Sequence, residues 1–146
     1  MSKYSLRKKR ELILSEEAAR DQIVELLEYY DIDVDRNEVE DAVSKQVENT
    51  LDQLTLYVRQ GVLEISRNDK GKLEVKHNLS GGDTLVYGEI NSKAKLAMEK
   101  FDPKAGYSRT YAFMGSLCGL GKGAIEKLPA IDLGVVEVLG TVFMTA

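Results

Sequence analysis

The chain has 146 residues, 43% of them hydrophobic and 30% charged, with two prolines. That is enough for the core of one small domain, alone or with an appended element, and too apolar for a wholly disordered chain. No apolar run approaches the roughly 18–20 residues of a membrane span, and no charged-then-apolar leader opens the sequence. One cysteine, Cys118, and one histidine, His77, exclude an intramolecular disulfide framework, a multi-cysteine metal site and most histidine-based catalysis. The net charge of -4 conceals three blocks: residues 1–10 carry +5, residues 11–60 carry -10 and residues 61–146 carry +1. A basic tip on an acidic segment suits an acidic neighbour, a nucleic acid or a second copy of the chain, or is simply a solvated terminus.

The first sixty residues read as helix. Ser15 is an N-cap candidate, followed by Glu16 and Glu17, which suit a helix N-terminus. Ala19, Ile23, Leu27 and Tyr30 then form one apolar stripe. Asp35 and Glu38 have capping-box spacing, and Val39, Val43, Val47, Leu51, Leu54 and Val58 form a second stripe. The second helix is expected over residues 36–60, roughly 37 Å long, with Gly61 as its stop. Two stripes joined by a short link make a helical hairpin.

At Gly61 the period changes from helical to alternating. Leu63, Ile65 and Arg67, then Leu73, Val75 and His77, alternate with polar residues across the turn Asn68-Asp69-Lys70-Gly71. Gly81-Gly82-Asp83 makes another turn, and residues 84–87 a short third strand. Helices are expected over residues 90–101 and 107–120, followed by a glycine-rich link at 119–123. Asp132 is the expected N-cap of a last helix bearing Val135, Val136, Leu139, Val142 and Phe143. The expected class is α+β: an N-terminal helical hairpin, a small central antiparallel sheet of one hairpin plus a short third strand, and a C-terminal bundle of three to four helices. The expected division is 1–60, an acidic helical hairpin with its basic tip, and 61–146, an α+β domain.

Several chemical motifs fail on inspection. Gly119-Leu120-Gly121-Lys122-Gly123 suggests a phosphate loop, but Ser116 stands at the first glycine position, Gly123 replaces the hydroxyl residue, and the segment follows a helix. Asp31, Asp33 and Asp35 have calcium-loop spacing, yet Arg36 takes the glycine position and Ala42 the bidentate glutamate position. His77 falls on the apolar parity of its strand, as a core or edge histidine does. Cys118 has apolar neighbours and no local base, which predicts a buried, quiet thiol. The paired carboxylates of the first helices lie off the apolar stripes, as solvated faces do. The basic tip lacks the aromatic interleaving that stacks bases, so nucleic-acid binding rests on charge alone. No enzyme, cofactor or metal site is expected.

Residues 71–144 resemble the tail assembly chaperones of Mu-like long-tailed phages. The stretches that carry the resemblance are Gly71-Lys72-Leu73-Glu74-Val75, Gly82-Asp83-Thr84-Leu85-Val86-Tyr87-Gly88-Glu89-Ile90 and Tyr111-Ala112-Phe113-Met114-Gly115-Ser116-Leu117-Cys118-Gly119-Leu120. The last is Ile125-Glu126-Lys127-Leu128-Pro129-Ala130-Ile131-Asp132 with Val135, Leu139 and Phe143 behind it. It covers about half the chain, as a pattern of apolar spacing, and residues 1–60 have no counterpart in it. The resemblance implies a non-enzymatic phage assembly factor that shields the long tape-measure helix while the tail assembles. The alternative is a structural virion protein of head, neck or tail that docks on neighbouring subunits. The expected partner is therefore a protein, either a tape-measure-like helix or neighbouring virion subunits, or a second copy as a homo-oligomer, with no membrane and no nucleic acid. The expected location is the host cytoplasm, or the virion under the alternative. The candidate contact residues are Tyr107, Tyr111, Met114, Val135, Leu139, Val142 and Phe143. The last helix motivates this choice, because Asp132 and Glu137 are its only charges and most of its surface must be covered.

Overall fold

The computed structural model describes residues 11–32 and 41–146. Helix α1 (Glu16–Tyr29) begins where Ser15 Oγ accepts the Ala18 amide at 3.1 Å, and it buries Ala19, Ile23, Leu26 and Leu27. Helix α2 (Asp41–Arg59) follows. Its expected start at residue 36 and the Asp35–Glu38 box lie outside the described residues. Val47 and Leu51 are half-buried, and Leu54 and Val58 are in the core. The helix stops at Gly61, whose φ is +73° and where a Cβ would stand 2.8 Å from Ile13 Cδ1. The positive φ favours glycine here, while the Ile13 tip could move aside. The Ile13 and Leu14 amides donate to the Arg59 carbonyl, giving one of the orphan acceptors at the helix end its partners.

Three strands form one antiparallel sheet in the order β1 (Leu63–Arg67), β2 (Leu73–Asn78), β3 (Thr84–Tyr87). Leu63 pairs with His77, Ile65 with Val75, and Val75 with Tyr87. The alternation therefore puts Leu63, Ile65, Leu73, Val75, His77, Leu85 and Tyr87 on one buried face. Asn68 Oδ1 ties the first turn by accepting from the amides of Lys70 and Lys72.

Helix α3 (Ser92–Glu99) is capped by Asn91 and is shorter at both ends than the expected 90–101. Helix α4 (Gly106–Cys118) ends at Gly119. The expected link at 119–123 is partly helical: α5 (Lys122–Glu126) starts inside it. The reversal is tight enough that a Cβ on Gly115 would meet the Gly121 carbonyl carbon at 2.4 Å. Helix α6 (Ala130–Phe143) begins two residues before the expected cap. Asp132 is not its N-cap. It lies buried in the first turn, where its carboxylate accepts the Ser80 amide at 2.9 Å and the Ser80 hydroxyl at 2.8 Å. A carboxylate there also meets the positive end of the helix dipole.

The class is α+β as expected: six helices and a three-stranded antiparallel sheet among the described residues. Leu26, Leu27, Leu54 and Val58 of the hairpin share one core cluster with Leu63, Val75, Phe113, Leu139 and Phe143. Residue 60 thus marks a change of element type across which the core is continuous.

Candidate functional site

The seven expected contact residues divide by burial. Met114, Val135, Leu139, Val142 and Phe143 are all in the core, covered by this chain's own elements. Leu139 is fully buried, and the Phe143 ring lies 5.7 Å from that of Tyr30 on α1. The five are therefore corrected from contact residues to core residues. An apolar helix needs cover, and here α4 and the hairpin supply it.

Tyr107 and Tyr111 remain at the surface. They sit one turn apart on α4, with ring centroids 6.0 Å apart and planes 29° from parallel. Tyr107 is 68% exposed, and Tyr111 is half-buried. Burial raises the Tyr111 phenol pKa, and the nearby Glu137 carboxylate adds to the rise. Arg109 fixes this end of α4 by donating Nη1 hydrogen bonds to the carbonyls of Met98, in the last turn of α3, and Phe101, just past it.

A second surface feature was not singled out in the sequence. Between α3, α4 and α5 lies an open groove of about 360 Å³ bounded by Lys93, Ala97, Lys100, Phe101, Ser116 and Lys122. A neighbouring depression shares Lys93, Ala97, Lys100 and Ser116, and adds Leu96. Lys122 pairs with Glu126, and its Nζ stands 5.0 Å from the Phe101 ring centroid. Lys93 and Lys100 are exposed and make no ion pair among the described residues. Such a groove suits an anionic segment with an apolar side chain. The legible signal was the 0, 3, 7 spacing of Lys93, Leu96 and Lys100.

The remaining candidates are structural. His77 is buried, and its Nδ1 lies 2.9 Å from the Tyr87 hydroxyl. Cys118 is half-buried, more open than expected, with Sγ donating to the Gly115 carbonyl at 3.4 Å. Desolvation raises its thiol pKa against opposing backbone hydrogen bonds. Lys122 of the glycine-rich segment is engaged by Glu126 and Phe101. Asp31 is exposed, and Asp33 and Asp35 lie outside the described residues. Among the described residues no histidine, cysteine and carboxylate cluster is spaced to hold a metal ion. None of the described helices is long and apolar enough to cross a membrane. The chain matches no protein-family model, and no curated protein or solved structure matches it either.

Proposed function

We propose that this chain is a non-enzymatic phage assembly protein that acts by contacting another protein, in the manner of the tail assembly chaperones that residues 71–144 resemble. The observation that carries the reading is the stacked Tyr107–Tyr111 pair, with Tyr107 more than two-thirds exposed. Tyrosine supplies large, rigid, amphipathic contact area and is enriched at binding hot spots. An exposed pair on a helix held by Arg109 offers a preorganised anchor for the apolar stripe of a tape-measure helix.

The test is co-expression with the tape-measure protein of the same phage. The wild-type chain is expected to co-purify with it and to keep it soluble. Tyr107→Glu should leave the fold intact and weaken capture by about thirtyfold, the loss of one hot spot. Retention of full capture by Tyr107→Glu would contradict the reading. A structural virion protein is the second reading, favoured by the unpaired lysines of α3, which suit a neighbouring subunit. Mass spectrometry of purified virions separates the two: a chaperone is absent, and a component is present in fixed copy number.

A further inference from the structure

The exposed face of α1 carries a second stripe that the fold leaves unused. Glu17, Asp21, Val24 and Glu28 are all exposed, and at about 100° per residue they fall within about 60° of the helix surface. The other charges of α1 are mostly occupied. Arg20 pairs with Glu16 and Asp52, and Glu25 pairs with Arg67. Glu17, Asp21 and Glu28 make no ion pair among the described residues, and Val24 is 48% exposed between them.

The groove described above presents the opposite stripe. Lys93, Leu96 and Lys100 run along α3 and its C-cap, with Leu96 61% exposed. Asp21, Val24 and Glu28 have the same 0, 3, 7 spacing as Lys93, Leu96 and Lys100. Each pair of charges is therefore about 10 Å apart along its helix, with one apolar side chain at the same point between. Lys95 does not compete, since its Nζ is held by the Ala146 carbonyl at 2.8 Å. Within one chain the two stripes form no ion pair with each other among the described residues.

We propose that α1 of a second copy of this chain docks in the lysine groove of the first. The helices run in the same direction, with Asp21 against Lys93, Val24 against Leu96 and Glu28 against Lys100. The apolar pair is shielded between two charge pairs, and the charges set register and orientation. Each chain carries one acidic and one basic stripe, so the contact joins unlike surfaces, and repeated docking closes a ring or extends an array. The remaining acids of residues 11–60 favour the encounter at long range. This contact uses neither Tyr107 nor Tyr111, so it stands or falls apart from tape-measure capture.

The test is sedimentation of the full chain in four forms: wild type, Lys93→Glu/Lys100→Glu, Asp21→Lys/Glu28→Lys, and an equimolar mixture of the two variants. All four positions are exposed, so circular dichroism and melting temperature should be unchanged. Wild type is expected to self-associate, about tenfold or more weakly in about 1 M salt than in about 0.1 M, where the Debye length is about 10 Å. Each variant alone should be monomeric, because like charges then face each other. The mixture should re-associate to within about tenfold of wild type, since both contacts regain opposite charges. Leu96→Ser should weaken association without altering the melt. A wild type that stays monomeric at low salt overturns the proposal. So does a variant that associates like wild type, a mixture that stays monomeric, or association that appears only with added nucleic acid.

Discussion

Helices α6 and α3 lie in the same half of the chain and treat an apolar side chain in opposite ways. On α6, which packs on α4 and the hairpin, Leu139 is fully buried, together with Val135, Val136 and Phe143. On α3, Ala94 is the sole buried residue, and Leu96 stands 61% exposed between two lysines. The apolar-rich helix is thus the one this chain has already covered. The helix that presents a contact surface is the polar one, whose single exposed leucine has a charge one turn away on either side. Abundance of apolar residues marks a need for cover. An isolated apolar residue framed by unpaired charges marks a surface that another molecule can read.

The same leucine-to-lysine change should have opposite consequences in the two helices. Leu139→Lys buries an unpaired charge and should cost about 5 kcal/mol, enough to unfold the protein in a thermal melt. Gly115→Ala comes next. Its Cβ would meet the backbone of Gly121 and Lys122 at 2.4–2.7 Å, and that backbone cannot rotate aside as a side chain can. A loss of about 3 kcal/mol, or about 10 °C in Tm, is expected. Asp132→Ala removes the buried acceptor of both Ser80 hydrogen bonds and a carboxylate in the first turn of α6, and should cost about 1–3 kcal/mol by chemical denaturation. Ser80→Ala should cost less, because the amide-to-carboxylate bond remains.

A pH titration of stability probes the same core. Burial raises the pKa values of Tyr30, Tyr87, Tyr111 and Cys118 in the folded chain. The unfolded chain titrates near the ordinary values, 9.0 for the thiol and 10.0 for the phenols. Above those values the unfolded state binds fewer protons than the folded one, so stability falls as pH rises. Full stability from these groups is expected below about pH 9, with an alkaline loss above it in urea melts. The smallest effect is the other half of the opening pair: Leu96→Lys should change stability by no more than about 0.5 kcal/mol.

Local signals were legible where local physics decides. Ser15 caps α1, and β3 spans residues 84–87 as its alternation after Gly81-Gly82-Asp83 implies. Asp132 has the chemistry of a cap, but its partner, Ser80, lies 52 residues away, and no local signal announces that long-range pairing. Helix α5 is hidden in a glycine-rich stretch in which Gly119 and Gly121 take positive φ and the backbone of Gly121 turns back against Gly115. Nothing in the sequence separates Tyr107 and Tyr111, which stay at the surface, from Met114, Val135, Leu139, Val142 and Phe143, because the burial of each depends on which elements fold over α4 and α6. The α3 stripe has no signal of its own in the sequence beyond its spacing, since lysines around one leucine gain meaning only when an acidic stripe of matching spacing is set beside them.

On this account α3, and not α6, is a surface this chain offers to another molecule. Hydrogen exchange on the full chain, compared between dilute and concentrated low-salt samples, tests it most directly. Protection should rise with concentration in residues 17–28 and 92–100, while α6 exchanges at the same rate in both samples. A rise confined to α6, or no rise in residues 92–100, would contradict it.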